Sequence, residues 1–231
     1  MITLAHSLGI DASHLCEAQD GHRLEKQTYD AFVRMQKAAQ KDDIDISIAS
    51  GFRDFTRQKL IWDQKWQGQR PLYSAQGQLL DGATLGVEQK IAAILTWSAL
   101  PGASRHHWGT DLDVYDRIAI NKSGQKLQLV PDEYCQNGPC SPLSQWLIEH
   151  GDTFGFYLPY RVYNGGVSAE PWHISYRPVA EKIQQLHTLS GLHDLIATEH
   201  LCGQDQILSR LPMLYQRYIL NRGTNAMKGQ K

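Results

Sequence analysis

The sequence has no surplus of either charge, no long apolar run and few cysteines. Its 231 residues carry 23 Lys and Arg against 24 Asp and Glu, so the formal net charge is −1. Proteins that bind nucleic acid or an acidic membrane surface need a surplus of Lys and Arg to meet phosphate, so we expect no nucleic-acid partner. The longest apolar stretch, residues 91–100, is too short to cross a bilayer, and we expect no transmembrane segment.

The cysteines are too few and too scattered for a disulfide scaffold. Cys135 and Cys140 could close a small loop in an oxidising compartment, but they lack the paired spacing of a structural zinc site. The first six residues have neither the basic segment nor the apolar core of a secretory signal. The compartment is therefore open: the cell envelope (periplasm or secreted) if a signal was removed, the cytoplasm if the N-terminus is native. The oligomeric state is open as well.

What is present is typical of a globular enzyme-sized chain. Hydrophobic residues make up 42% and charged residues 20%, and 231 residues are enough to bury a sizeable core. We find no internal repeat, no low-complexity tract and no Pro/Gly/Ser-rich linker. These features predict one domain over residues 1–221, followed by a flexible tail over 222–231.

Apolar periodicity predicts both helices and strands. Helical spacing covers residues 24–40, and shorter helices are expected over 56–66, 88–98 and 143–150. Alternating polar and apolar residues predict strands over 44–48, 110–115 and 172–176. In the second of these strands, Asp111 and Asp113 would share one face.

The other segments are less regular. Residues 68–86 are polar and glycine-rich, which predicts a long surface loop. Residues 117–120 and 127–130 are weak candidates for a hairpin, and residues 178–221 are predicted to be mostly helical. Together the pattern favours an α+β fold, with a small and mostly antiparallel sheet flanked by helices and an additional helical C-terminal segment.

The candidate chemistry lies in two segments, 104–113 and 170–173. Imidazole and carboxylate are the ligands of zinc in hydrolytic sites, and His106, Asp113 and His173 could supply such a set. Glu170 would then act as the general base. Residues three apart on a strand point to opposite faces, but Pro171 interrupts strand pairing, so we expect Glu170 to reach in from the preceding loop.

Two neighbouring residues leave alternatives open. Asp111 should share a face with Asp113, which leaves two alternatives: Asp111 replaces Asp113 as a ligand, or it orients His106 through a hydrogen bond. We favour Asp113 as the ligand because of its position in the motif. His107 would point away from its neighbour on an extended backbone, and we expect it on the pocket wall or the surface.

These residues resemble a known family, the M15 zinc peptidases, which include VanY-like D-alanyl-D-alanine carboxypeptidases of the LAS superfamily. The resemblance rests on three blocks in family order, spanning about residues 24–177: Ser50-Gly51-Phe52-Arg53 with Gln58, Ser104-x-His106-x-x-Gly109-x-x-x-Asp113, and Glu170-x-Trp172-His173. Each block alone is weak, and the three together are specific. The chain departs from the family at Asp111, where members commonly carry a small apolar residue.

The resemblance implies a role for each residue of these blocks. It implies that His106, Asp113 and His173 bind Zn²⁺. It also implies that Glu170 is the general base for attack by zinc-bound water. Arg53 would hold a substrate carboxylate. The implied catalytic residues are then Glu170 and Arg53, and the implied substrate-binding residues are Arg53, Gln58, Ser104 and Trp172.

The implied activity is removal of a C-terminal D-amino acid, D-Ala in the first instance, from peptidoglycan stem peptides or their fragments. L,D-carboxypeptidase action on tetrapeptides is the alternative within the class, followed by dipeptidase or endopeptidase action. A zinc-bearing peptide-binding protein without catalysis is the alternative from a different class. The presence of Glu170 favours catalysis over binding alone.

Overall fold

The structure is a computed structural model that describes residues 2–224. Its α-helices and strands follow one another in chain order: α1 Leu4–Ser7, β1 Leu15–Glu17, β2 Arg23–Glu25, α2 Lys26–Ala39, β3 Ile46–Ser50, α3 Phe55–Trp66, β4 Leu72–Tyr73, β5 Leu79–Leu80, α4 Val87–Trp97, β6 Asp111–Asp116, α5 Arg117–Ser123, α6 Pro131–Tyr134, α7 Ser141–His150, β7 Phe156–Tyr157, β8 His173–Tyr176, α8 Arg177–Leu186, α9 Leu189–Thr198, α10 Gln204–Leu208 and α11 Leu211–Leu214. A 3₁₀ turn, Arg105–Trp108, immediately precedes β6. A π-helical turn, Tyr215–Ile219, follows α11.

The central sheet has four antiparallel strands in the order β3-β6-β8-β7. The alternating apolar residues of β3, β6 and β8 lie in the core against α2, with Leu112 and Ile174 directly opposite each other across β6 and β8. The predicted α+β class, with a small antiparallel sheet flanked by helices, is confirmed.

A second apolar cluster lies between α3, α4 and the helices that follow residue 188. Trp62 of α3 is fully buried there, and its indole N–H donates to the carbonyl of Cys202 at 3.0 Å. The predicted helical C-terminal segment is present and packs on the cleft side of the molecule, because Tyr218 and Ile219 both line the main cleft.

Gly109 makes the turn between the 3₁₀ turn and β6 possible. Its φ is +68°, a left-handed conformation that side chains disfavour. A Cβ at this position would also collide with the Leu15 side chain and the Glu25 backbone nitrogen. Glycine therefore lets the loop that carries His106 pack against β1 and β2.

The predicted hairpin between 117–120 and 127–130 is wrong. Residues 117–123 form α5, because Asp116 caps the helix by accepting a hydrogen bond from the backbone nitrogen of Ala119 at 3.1 Å. Gly124, with φ +68°, then ends it. The capping chemistry of Asp116 competes with strand pairing here, and residues 127–130 contain no strand.

The structure can be compared with three further expectations, on the 68–86 loop, the cysteines and the membrane span. The loop predicted over 68–86 contains a short hairpin, β4 with β5. The four cysteines are free, with Cys135 exposed and Cys140 buried, so the proposed 135–140 loop closure is absent from this structure. In the described part of the chain, we find no helix with the length and apolarity needed to span a bilayer.

The predicted tail begins inside the described region. The backbone nitrogen of Thr224 donates to the carbonyl of Asn164 at 3.1 Å, so Thr224 is bound to the segment between β7 and β8. The rest of that prediction, residues 225–231, lies outside the described residues.

Candidate metal centre and active site

A cleft of about 950 Å³ brings together the segments that the sequence singled out. Its walls also include residues from α3, the β4–β5 hairpin and the C-terminal helices. Among the predicted site residues, seven line the cleft: Arg53, Ser104, His106, Asp113, Glu170, Trp172 and His173. The eighth, Gln58, is fully buried behind the wall.

Three buried side chains converge at the base of the cleft. His106, Asp113 and His173 each offer a ligand atom, and these atoms all lie within 4.8 Å of one another. Asp113 and His173 are directly opposite in the β6–β8 register, where facing side chains are within about 4.5–5.5 Å at Cβ. The antiparallel sheet thus places two of the three residues, and the 3₁₀ turn before β6 places the third.

His106 presents one defined nitrogen to this group. Its Nδ1–H donates to the carbonyl of Gly51 at 2.9 Å, which leaves Nε2 with a free lone pair. Nε2 lies 3.3 Å from Oδ2 of Asp113. Gly51 at the end of β3 therefore selects the tautomer of His106.

His173 is oriented in the same way by a different partner. Its Nε2–H donates to Oδ1 of Asp111 at 2.9 Å. Nδ1 therefore faces the cleft, 3.2 Å from Oδ1 of Asp113 and 3.4 Å from Oε2 of Glu170. Glu170 lies in the turn before β8, as the sequence predicted from Pro171.

These groups fit a bound cation. Oδ1 of Asp113 is buried and has no hydrogen-bond partner among the described residues. Burial would raise the pKa of Asp113, but His106 and His173 hold it far below its usual range, so the carboxylate stays ionised. Burial would lower the pKa of His173, yet the nearby carboxylates of Asp111, Asp113 and Glu170 raise it well above its usual value. The pocket therefore stabilises positive charge beside Nδ1.

The donor types suit zinc in particular. Nε2 of His106 lies 3.3 Å from Oδ2 of Asp113, and Nδ1 of His173 lies 3.2 Å from Oδ1, so each histidine faces a different carboxylate oxygen. Two imidazoles and one carboxylate form a common donor set for catalytic zinc, which keeps a further position open.

Asp111 is held by a network that sequence analysis did not foresee. It is fully buried, and Nε of Arg105 donates to its Oδ1 at 2.7 Å. The hydroxyls of Thr110 and Ser175 donate to its Oδ2 at 2.8 Å and 3.0 Å. Burial raises the pKa of Asp111, but Arg105 and His173 outweigh it and lower the pKa to about 2.

This network favours one of the alternatives for Asp111. The group of ligand atoms in the described residues comprises Asp113 and not Asp111, and Asp111 orients His173 rather than His106. The departure of Asp111 from the family pattern was the available signal. It did not reveal Arg105 as its partner, because that ion pair joins the 3₁₀ turn to the strand through the fold.

Arg53 enters the cleft after β3 and has no carboxylate partner among residues 2–224. Its Nη1 donates to Oε1 of Gln58 at 2.8 Å, and Nη2 donates to the Ser50 hydroxyl at 3.3 Å. Gln58 in turn donates to the carbonyl of Ala99 at 2.7 Å. Gln58 therefore supports Arg53 from behind and does not line the cleft.

The remaining predicted residues differ in exposure and role. Ser104 lines the cleft and its hydroxyl has no hydrogen-bond partner within the described chain. Trp172 lines the cleft with one side and packs on Tyr134 in the core with the other. Tyr160, which the sequence did not single out, packs edge-on against His173 with ring centroids 5.0 Å apart.

The expectation for His107 is wrong. It is fully buried and lies neither on the cleft wall nor on the surface. Its Nδ1–H donates to the carbonyl of Arg53 at 2.6 Å, and its Nε2 accepts from the backbone nitrogen of Gly102 at 3.2 Å. The 3₁₀ turn directs consecutive side chains around its axis, so His107 supports the Arg53 backbone while His106 faces the cleft.

Two histidines, a carboxylate and a further acid at the base of an open cleft define the class of metal-dependent hydrolase sites. The family model for VanY, D-alanyl-D-alanine carboxypeptidase, matches residues 21–179. The chain belongs to the VanY family of D-alanyl-D-alanine carboxypeptidases.

Curated relatives agree with this family. The chain is 26% identical over 186 residues to a D-alanyl-D-alanine carboxypeptidase of Enterococcus faecalis, covering 79% of this chain and 59% of that protein. It is 39% identical over 127 residues to an uncharacterized protein of Haemophilus influenzae, covering 54% of this chain and 96% of the relative. The match therefore spans less than two thirds of the Enterococcus carboxypeptidase.

Solved structures share the fold. VanYB in complex with D-alanine-D-alanine superposes with a TM-score of 0.53 at 25% identity, covering 83% of this chain and 94% of that chain. A mutant of the vancomycin resistance D,D-pentapeptidase VanY in complex with Zn(II) has a TM-score of 0.50 at 27% identity, covering 81% and 99%.

Proposed function

We propose that this protein is a zinc-dependent carboxypeptidase that removes a C-terminal D-alanine from peptidoglycan stem peptides. The observation that carries the proposal is the convergence of the three ligand-type side chains, Glu170 and an unpaired Arg53 in one cleft. The similarity to VanYB in complex with D-alanine-D-alanine, and to a VanY structure containing Zn(II), supports this choice of substrate and metal.

His106 would hold the zinc through Nε2, His173 through Nδ1 and Asp113 through its carboxylate. When bound there, zinc would supply a Lewis acid for the scissile carbonyl and would lower the pKa of a water molecule toward about 7. The tautomers that Gly51 and Asp111 impose leave these two imidazole nitrogens free to bind it.

Arg53 would place the substrate. A guanidinium matches a carboxylate through two parallel hydrogen bonds, so it selects a peptide that ends in this cleft. Gln58 and Ser50 each occupy one terminal nitrogen of Arg53 on its protein side. The remaining N–H groups are then available to the terminal carboxylate.

Glu170 would move the proton. Its carboxylate, 3.4 Å from Nδ1 of His173, is close enough to the ligand group to accept a proton from the attacking water. The same carboxyl group would then deliver that proton to the nitrogen of the departing D-alanine. The peptide C–N bond breaks and a new C–O bond forms, which balances the hydrolysis.

Glu170→Gln tests this function. The variant should retain about one zinc per chain and lose release of D-alanine from a stem pentapeptide, measured by mass spectrometry and by metal analysis. Glu181→Gln, which changes an exposed glutamate on α8, should retain both properties. Full turnover in Glu170→Gln would exclude Glu170 as the base, and wild-type protein active in the presence of excess chelator would exclude zinc.

The same assay separates the specificities. Incubation with pentapeptide, tetrapeptide and free D-Ala-D-Ala shows which substrate loses one alanine. The proposal expects loss from the pentapeptide, whereas loss from the tetrapeptide alone would identify an L,D-carboxypeptidase.

A further inference from the structure

The cleft holds more positive charge than one terminal carboxylate requires. Four Lys and Arg side chains line it, and one of them, Arg105, is paired with Asp111. The other three are Arg53, Lys65 near the end of α3, and Arg70 just beyond that helix. Among residues 2–224, none of the three forms an ion pair within 4.0 Å of a carboxylate oxygen. The proposed function assigns a ligand to Arg53 and none to the other two.

Lys65 differs from the other lysines of its surroundings. Lys59, on the same helix, pairs with Asp63 one turn later at 2.7 Å. The Nζ of Lys65 has no hydrogen-bond partner in the described part of the chain, although the side chain is partly buried in the cleft wall. A cation removed from water without a partner is unfavourable unless a ligand supplies one.

Arg70 is fixed on one side and open on the other. Its Nε donates to Oε1 of Gln64 at 2.7 Å, and its backbone nitrogen donates to the carbonyl of the same residue at 3.3 Å. Its terminal nitrogens have no partner within residues 2–224. The guanidinium is therefore held at the cleft with donors to spare.

Neighbouring charges act on Lys65 as well as burial. Burial is the main cause that lowers the pKa of Lys65 to about 8; Arg70 and, more weakly, Arg53 act in the same direction, and Glu170 opposes them. Like charges that repel in a partly desolvated wall are stabilised by an anion placed between them. An exposed lysine on a solvated helix face would not experience this repulsion.

Helix geometry separates the backbone positions behind the two cationic sites. Lys65 follows Gln58 by seven residues, so both lie on one face of α3 about 10 Å apart along the axis. Gln58 supports Arg53. An extended peptide, which advances about 3.3–3.6 Å per residue, covers a distance of this size within about three residues.

We propose that Lys65 and Arg70 form a second anion-binding subsite, which accepts a carboxylate of the substrate other than the terminal carboxylate held by Arg53. The preferred substrates are then peptides with a carboxylate-bearing side chain among their last three residues. This assignment of substrate class rests on the proposed function, since it takes Arg53 as the anchor of the C-terminus.

Binding to zinc-loaded Glu170→Gln protein tests the subsite without turnover. The probes are D-alanine-terminated peptides with Glu or Gln at the second-last or third-last position, together with peptides that end in D-Glu or D-Gln. These pairs differ in charge and little in shape. We expect the acidic member of at least one pair to bind about tenfold more tightly by calorimetry, the size of effect that hydrogen bonds to charged groups produce.

Substitutions assign the preference to its residues. Lys65→Met should abolish the preference while leaving affinity for the Gln peptide unchanged, and Lys65→Arg should retain it. Lys59→Met is the matched control on the same helix and should behave as the parent. Thermal unfolding of each variant identifies any that fail to fold, and Arg70→Gln, which should weaken the preference, then provides the second test.

Equal affinity for both members of every pair would overturn the proposed subsite. It would also be overturned if Lys65→Met lowered the affinity for acidic and neutral peptides by the same factor. Failure of the proposed function has a different signature. The wild-type protein would then release no D-alanine from any peptide, whatever the outcome of the binding measurements.

Discussion

His173 donates a hydrogen bond from Nε2 to Oδ1 of Asp111 over 2.9 Å, and this contact determines which nitrogen of the ring faces the cleft. Asp111 occupies a position where members of the M15 family, which the sequence resembles, commonly carry a small apolar residue. Its negative charge is balanced by Arg105, which lies 2.7 Å away in the 3₁₀ turn. This chain therefore carries a buried ion pair behind one of its metal-ligand candidates.

Asp111→Asn should weaken zinc binding by about 10- to 100-fold, because partners that orient a ligand imidazole contribute that much to metal affinity. The amide can present its NH₂ group to Nε2 and so no longer favours the required tautomer. Competition with a chromophoric chelator measures the affinity. Asp116→Asn makes the same change on the same strand at a carboxylate that caps α5, and its zinc affinity should match that of the parent. Equal zinc affinity in Asp111→Asn and parent would show that Asp111 does not orient the ligand.

Arg105→Met should lower the free energy of unfolding of the metal-free protein by about 3–5 kcal/mol, because it leaves the buried Asp111 carboxylate without its counter-charge. Denaturant titration with chelator present measures the change. The double variant Arg105→Met/Asp111→Leu should recover part of the loss, since it removes both charges. At the Arg117–Asp45 pair, whose arginine is exposed, Arg117→Met should cost much less than Arg105→Met. A loss of similar size at both arginines would contradict the prediction.

His107→Ala should raise KM more than it lowers kcat. The substitution removes the donor to the Arg53 carbonyl and the acceptor for Gly102 N–H, so the backbone that carries Arg53 loses its support. Leaving such buried groups unpaired costs about 1–3 kcal/mol of stability. Steady-state kinetics on the pentapeptide, with zinc content checked because His106 is adjacent, measures the effect. His193→Ala, at an exposed histidine, is the control. An unchanged KM in His107→Ala would show that His107 does not position Arg53 for substrate binding.

Local patterns in the sequence were sufficient to identify the metal-ligand candidates. Alternation places Asp111 and Asp113 on one face of β6, and Pro171 keeps Glu170 out of β8, so the spacing of the motifs translates directly into geometry. The same local reasoning predicted a hairpin after β6, where the Asp116 cap instead begins a helix. Caps and hairpins compete over the same few residues, and the outcome depends on packing.

Interactions between distant segments could not be predicted. The Arg105–Asp111 pair, the contact of His107 with the Arg53 backbone and the position of Lys65 all depend on how the 3₁₀ turn and α3 meet the sheet. From sequence, Lys65 is one more cation on a helix. Only the fold shows that it lies in the cleft without a partner.

The Glu-over-Gln preference of the zinc-loaded Glu170→Gln protein should decline between pH 6.5 and pH 9.5. Burial, with Arg70 and Arg53 nearby, lowers the pKa of Lys65 to about 8, so Lys65 is charged at pH 6.5 and mostly neutral at pH 9.5 in the free protein. The two arginines and the peptide glutamate stay ionised over this range. Glu170 raises the pKa of Lys65 and is absent in the Gln variant, so the pKa of Lys65 in the unliganded variant is lower than in the native protein, and the decline cannot be attributed to titration of Glu170. A bound carboxylate favours protonated Lys65, which moves the midpoint to a pH somewhat above that of the free protein. Lys65→Arg should keep its preference up to pH 9.5, and a parent preference that is equally constant would show that Lys65 does not hold the second carboxylate.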